Sequence, residues 1–343
     1  METIDEFLKK IPEIPESTNY WFFRTMGGRL YYPFLFKSII ALNYSKIRKE
    51  EAYELIDGEI NEKKINFIRS KYPDYNRPGL IISNLKRFYL EMQIGDLIII
   101  PDFSGRNIAV GKIDGDIEDI DGIERVKHDG KIYIDRDYKR SRKITWITAV
   151  KRGGFSPELF RLLNTHQTIS KANAYAEWID NLLYSFYKKS NKYHYIVKIT
   201  QKYGIGAKTV YWTFAELLTL TDNFLKTENI DESVDSIETK ISLHSPGYIE
   251  FLGLVPYAIS LLAILVLLIN GGGFKIKYKD DFSLDLSTLG IIKRLSEFLN
   301  SKQDRKTKEA LKEKITNLNI ENPSDFVDIL NSINQKNQNE KDN

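Results

Sequence analysis

In the first 150 residues, apolar and polar positions alternate with a period near two in several short stretches, the signature of half-buried strands. Asn19 to Thr25 reads as such a strand, with Trp21, Phe23 and Thr25 on one face and Phe22 and Arg24 on the other, and Gly27 and Gly28 mark the turn that follows. Residues 38–44 read as a second strand and 95–101 as a buried one closed by Pro101. The segment 107–113 is the next, after a turn at Ser104–Gly105. Tyr133 and Ile134 suggest another, and 143–150 a last one. The period becomes helical over 48–56, 59–71 and 79–92, where Leu80, Ile81, Leu85, Phe88, Tyr89 and Met92 recur at helical spacing. Short strands around one or two helices predict a small barrel, closed or half closed.

The rest of the chain is patterned differently. Residues 1–17 read as a short helix and a connector punctuated by Pro12 and Pro15. Ser156 and Pro157 look like an N-cap and first helical position, and 156–190 reads as helical. Residues 194–200 read as strand, with 209–212 pairing across Gly204–Gly206. A helix over 213–226 and a strand over 237–244 follow. A very apolar helix is expected over 251–270, then a strand at 274–279 and a helix at 286–300. A charged helical segment with a boundary at Pro323 and a frayed polar tail complete the chain. The expected fold class is α+β, an N-terminal small β-barrel with helices followed by an α/β module. The expected division is 1–17, 18–152, a helical connector 153–192, an effector module 193–300 and a charged tail 301–343.

A chain of 343 residues that is 42% hydrophobic can bury substantial cores in two or three domains. The absence of Cys removes disulfides, thiolate metal sites and cysteine nucleophiles, and the four His (His128, His166, His194, His244) have no metal-ligand spacing. No metal and no cofactor is expected. Net charge is only +3, but Arg136, Lys139, Arg140, Arg142 and Lys143, with Lys151 and Arg152, form a local basic run. Such a run is either a solvated strand edge or a phosphate contact.

The first ten residues carry no apolar run, so a secretory signal is not expected. Between Glu250 and Lys275 there is no charge, which is long enough for a membrane span. A span would put the N-terminal domain and the C-terminal residues on opposite sides of the membrane, and Gly253 and Pro256 interrupt its first turns. A cytoplasmic protein is therefore expected, with Phe251, Leu254, Ile259, Leu262, Leu265 and Leu268 buried or used for oligomerisation. A single-pass membrane protein is the alternative.

Three pieces stand together in the first domain: residues 20–28, the segment 88–101 with Gly95 and Asp96 opening a buried strand, and 107–113 with Val110 and Gly111, followed by the closing strand that carries Trp146. Their order and spacing resemble PUA-like domains of the EVE and YTH-related kind, more closely the small domain fused to the N-terminus of Mrr-type restriction and anti-phage proteins. The resemblance covers residues 18–150. It implies binding of a modified base or a nucleotide, in a setting of anti-phage defence; the expected partners of the second half are a further copy of the chain, a membrane or a separate nuclease.

An extruded base needs an aromatic face, and its flanking phosphates need cations. Trp21, Tyr31, Tyr32 and Trp146 are candidate surfaces, although aromatics in a small barrel commonly form its core. Arg24, Thr25, Arg140 and Lys143 are the candidate polar contacts. Glu238-Thr239-Lys240 has the Glu-x-Lys shape of a metal-dependent nuclease, with no Asp on the preceding strands to complete it. The segment 202–209 lacks the Gly that a phosphate loop requires before its Lys, and no hydrolase or dinucleotide fingerprint occurs. Association rather than chemistry is the expected output. A nuclease using Glu238 and Lys240, or a nucleotide-gated membrane effector, are the alternatives.

Overall fold

In the computed structural model the chain has a mixed α+β architecture, described over residues 2–126, 132–201, 206–242, 247–271, 275–278, 282–285, 290–301 and 305–339. It divides into two units. Ser17–Leu183 is inserted into a discontinuous unit made of Met1–Glu16 and Tyr184–Asn343. The expected five-part division is thereby redrawn: residues 1–16 belong with the C-terminal half, and the supposed connector is split at Leu183.

The inserted unit holds a six-stranded half-barrel sheet in the order Ile39–Leu42, Arg140–Lys151, Asn107–Asp119, Leu97–Pro101, Tyr20–Phe23, Ile169–Lys171. Only Tyr20–Phe23 and Leu97–Pro101 pair in parallel. Four consecutive buried aromatics on Tyr20–Phe23 reflect a sheet covered on both sides. Trp21 and Phe23 face a core built with Phe34, Ile82, Leu85 and Phe88, whereas Tyr20 and Phe22 face Phe155, Leu159, Leu162 and Ile179. The long strand pair Asn107–Asp119 and Arg140–Lys151 carries two register shifts, at Val110/Gly111 and Ile113/Ile117. Such irregularities bend and twist a sheet. Gly111 is required at the first, because a Cβ there would lie 2.6 Å from Ile144 and 2.7 Å from the Trp146 ring.

Helices Lys49–Ile56, Glu62–Lys71 and Pro78–Lys86 contribute to the first core, and the last continues into a π-helical turn, Arg87–Glu91. Arg142, counted above in the basic run, is buried there: its Nε donates to the Phe88 carbonyl at 3.0 Å. Burial lowers its pKa from the ordinary guanidinium value. Glu51 ties two helices together, accepting from the Arg48 backbone N–H at 3.0 Å and from the Tyr72 hydroxyl, and pairing with Lys71. Those donors, Lys71 first and then Tyr72, hold its carboxyl far below the usual range. A carboxyl whose folded pKa is depressed stabilises the fold above its unfolded pKa, about 4.3, and loses that contribution as pH falls. Glu51→Gln is therefore expected to flatten the acid limb of the stability curve below about pH 4.5, measured as urea midpoints between pH 7 and 3. An unchanged limb would remove Glu51 from the account.

The discontinuous unit has a five-stranded sheet in the order Glu13–Ile14, Phe186–Lys189, Lys192–Ile199, Gly247–Gly253, Glu238–Ser242. Tyr195, Val197, Ile249 and Phe251 point from one face into a large apolar core. That core also takes residues from helices Glu2–Lys10, Ala207–Thr227, Pro256–Gly271, Gly290–Leu299, Arg305–Leu318 and Ser324–Asn339.

Several expectations are corrected here. Residues 251–253 are not helical but close the strand Gly247–Gly253, and the helix runs only from Pro256 to Gly271, 16 residues. At 1.5 Å per residue it is about 24 Å long, short of the roughly 30 Å bilayer core. Every residue from Ala258 to Ile269 is buried, so its apolarity serves the interior, and among the described residues no helix is long and apolar enough to cross a membrane. Residues 209–212 start the helix Ala207–Thr227 instead of pairing as a strand; the hairpin turn proposed for them falls largely on 202–205, outside the described residues. The 156–190 segment is helical only over Pro157–Leu163 and Ala176–Leu183, with strands Ile169–Lys171 and Phe186–Lys189 taking the rest of its regular structure apart from a short 3₁₀ turn. The last helix extends to Asn339, further than the frayed tail would allow. The helix expected at 286–300 is described over Gly290–Leu299 and the strand at 274–279 over Lys275–Tyr278, with 274, 279 and 286–289 lying outside the described residues.

Candidate functional site

The residues singled out in the first domain fall into two sets. Trp21 is buried and its indole N–H donates to Asp96 at 2.8 Å; Trp146 donates to the Phe34 carbonyl at 3.2 Å and packs on the same core. Asp96 also accepts from the backbone N–H groups of Asn19, at 3.0 Å, and Gln93, at 2.9 Å. The Gly95-Asp96 pair is therefore a structural tie between strand Tyr20–Phe23 and the turn after the π-helical segment. Tyr31 is buried, and burial, the nearby Asp102 carboxylate and Tyr32 push its hydroxyl up to about 12. Arg140 pairs with Asp119 at 3.1 Å and Lys143 is exposed mid-strand. None of these lines either of the two cavities described next.

Arg24 and Thr25 do. They lie on the loop that leaves strand Tyr20–Phe23, and a cavity of about 260 Å³ opens between that loop and the one following strand Leu97–Pro101. Met26, Gly27 and Gly28 all have left-handed backbone, as do Ser104 and Gly105 opposite. Gly28 has no substitute: a Cβ would lie 2.2 Å from the Phe103 nitrogen, so the loops meet backbone to backbone. The Thr25 hydroxyl donates to the Pro101 carbonyl at 2.5 Å, and Arg24 Nη1 to the Thr165 carbonyl at 2.8 Å, which pins the guanidinium at the rim. Arg152, at the end of strand Arg140–Lys151, stands over the Phe160 ring at 4.9 Å on another wall. Asn164 completes the polar lining. Asp102 carries the negative charge here, but both its oxygens already accept from Asn107.

A second cavity, about 290 Å³, lies on the other side of the same loop and shares Arg24 and Gly27 with the first. Its floor is apolar, made by Phe23, Leu30, Ala41 and Leu42 with Tyr138, and its mouth carries Met26, Asn43 and His166. Burial pushes the Tyr138 hydroxyl up to about 12, so it stays a neutral phenol near neutral pH. Both cavities are thus lined by polar and apolar residues alike, with Arg24 shared between them and Arg152 added in the first.

A family model matches this region. It is described as a domain of unknown function (DUF8426) and covers residues 30–171. No curated protein matches the chain. The match takes in the wall around residues 101–105, Arg152 and the 160–164 helix end, while the Arg24–Gly28 loop precedes it.

In the discontinuous unit, Glu238 pairs with Lys192 at 2.6 Å, and Lys240 faces Glu250 across the strand pair with Nζ 3.9 Å from its Oε2. The other oxygen of Glu250 bonds His194 Nδ1 at 2.6 Å. Among the described residues no group of three or more His, Asp or Glu is arranged to hold a metal ion. The carboxylate sought beside Lys240 on a preceding strand is Glu250 on the following one, and it is tied to an imidazole. Of the apolar residues singled out, Phe251, Ile259, Leu262, Leu265 and Leu268 are core, and only Leu254 is exposed, at 67%.

Of the residues lining these cavities, sequence reasoning singled out Arg24 and Thr25 as ligand contacts but not Asn164, Asn43 or His166. A signal for the loop was available: residues 17–49 contain six Lys or Arg and no Asp or Glu. That acid-free stretch includes the Arg24–Gly28 loop and the helix after it.

Proposed function

We propose that the inserted unit is a recognition module for nucleic acid or a nucleotide, and that the discontinuous unit supplies the output by association, with itself or with a separate nuclease. The reading keeps the PUA-like, EVE-related resemblance and its setting in defence against foreign nucleic acid. The observation that carries it is the cavity in which Arg24 and Arg152 converge with Asn164, beside a second cavity with an apolar floor. Guanidinium forks match phosphate geometry, and charge-assisted hydrogen bonds to them are among the stronger polar contacts. Nothing in the arrangement activates a nucleophile, so binding is the chemistry it supports.

Fluorescence anisotropy with labelled oligonucleotides, with and without modified bases, tests this on the full chain. Arg24→Gln and Arg152→Gln are each expected to weaken binding about tenfold or more and to reduce its salt dependence, because each removes a phosphate contact. Absence of affinity for oligonucleotides and nucleotides alike would discard the reading.

A further inference from the structure

The helix that rises from the cavity loop, Tyr31–Lys37, buries Tyr31 and Phe34 and leaves its other side uncovered. Tyr32 is 58% exposed and Phe36 85%, and their rings stack at 6.2 Å with 26° between planes. Four residues apart, they lie one above the other on one helix face, about 6 Å along the axis. Leaving two large rings in water is unfavourable unless something covers them.

The charge around them says what fits. The helix sits within the acid-free stretch 17–49. Arg29, exposed, stands between the cavity loop and the helix, and Arg106 and Arg152 are exposed beside the facing loop, where the Arg152 N–H donates to the Arg106 carbonyl at 2.7 Å. The Phe103 ring, 65% exposed, projects from that loop at the point where its backbone touches Gly28. Two of the acids at hand are engaged: Asp102 by Asn107, Glu124 by Lys37 at 3.7 Å. Two exposed rings on the helix that follows the cavity loop, with Arg29, Arg106 and Arg152 exposed on the loops beside that cavity, suit an unpaired strand, since bases stack on rings and phosphates track cations. A second copy of the chain would bring the same positive field against itself.

We propose that Tyr32 and Phe36 form a stacking track that carries a single-stranded nucleic acid out of the Arg24–Arg152 cavity, so that the ligand is a strand and not a free nucleotide. This rests on the cavity reading above. The test compares an eight-nucleotide single strand with a nucleoside monophosphate on the full chain, using Tyr32→Ala/Phe36→Ala and Arg152→Gln. Both aromatic positions are exposed, so the fold should tolerate their loss, and circular dichroism verifies it. The double variant is expected to bind the octanucleotide about tenfold more weakly per ring removed while its affinity for the monophosphate is unchanged. Unchanged octanucleotide affinity overturns the track while leaving the cavity reading standing. Equal losses for both ligands also overturn it, because the rings would then serve the cavity itself. If Arg152→Gln leaves both affinities intact, it is the cavity reading that fails. Sedimentation supplies the last outcome: a self-associating wild type that becomes monomeric in the double variant would make the patch an interface between copies and overturn the proposal.

Discussion

Replacing Asp96 with alanine is expected to cost the inserted unit about 4 kcal/mol. Asp96 is buried and accepts from Trp21 Nε1 and from the N–H groups of Asn19 and Gln93. Alanine leaves three donors without their acceptor, the indole among them buried. Each hydrogen bond to a charged group contributes roughly 1.5–3 kcal/mol, less than additively within one network. Asp96→Asn keeps one acceptor oxygen and is expected to cost about half as much. Trp21, Trp146 and Trp178 lie in this unit and Trp212 in the other, so on a Trp212→Phe background tryptophan fluorescence against urea follows its unfolding. A loss below about 1 kcal/mol would show that the Gly95-Asp96 turn is not the tie described here. Trp21→Phe should lose less stability on the Asp96→Asn background than alone, because the shared bond is already weakened.

His194→Ala is expected to destabilise the discontinuous unit by about 3 kcal/mol. Glu250 is fully buried, with Oε1 bonded to His194 and Oε2 without a hydrogen-bond partner, 3.9 Å from Lys240. His194 is further held by Tyr187, whose ring stacks on the imidazole at 4.5 Å and 6°. Removing the imidazole leaves the buried carboxylate without a hydrogen-bonding side chain, and desolvation then works against the fold. The more telling variant replaces both residues. His194→Leu with Glu250→Leu removes the buried polar pair together with its desolvation cost and is expected to recover most of the lost stability. Urea unfolding followed by circular dichroism checks the cycle. A double variant as unstable as His194→Ala would mean that the pair is worth more than an apolar replacement, contrary to the expectation.

The sequence carried the inserted unit's strands because alternation is a local signal. Tyr20–Phe23, Leu97–Pro101 and Arg140–Lys151 all have ends within three residues of where their patterns placed them. Alternation also exposed an oddity, large apolar residues on both faces of Tyr20–Phe23, and the two separate cores explain it. Failures came where local pattern is ambiguous. The stretch 251–253 is apolar enough to join the helix behind it, and only strand pairing, with Lys192–Ile199 on one side and Glu238–Ser242 on the other, gives it another role. Thr209 to Trp212 has the β-branched and aromatic composition of a strand but begins a helix packed on the core. Of the proposed ligand residues, the aromatic ones divide by burial, which composition does not reveal: Trp21 and Tyr31 face inward, Tyr32 outward.

Composition and periodicity alone determined that this chain folds with substantial cores, that its first half is strand-rich around a few helices, that cysteine chemistry is absent, and that residues 17–49 contain basic but no acidic side chains. The tertiary structure decided the rest. It inserted Ser17–Leu183 into a unit assembled from both ends of the chain. It buried Arg142 and the apolar helix, and brought Arg24, Pro101, Arg152 and Asn164 around one cavity from four distant segments. The physical reason is range. A residue's neighbours along the chain set which way its side chain faces. What it meets there depends on the order and register of strands separated by tens of residues, which no local pattern encodes.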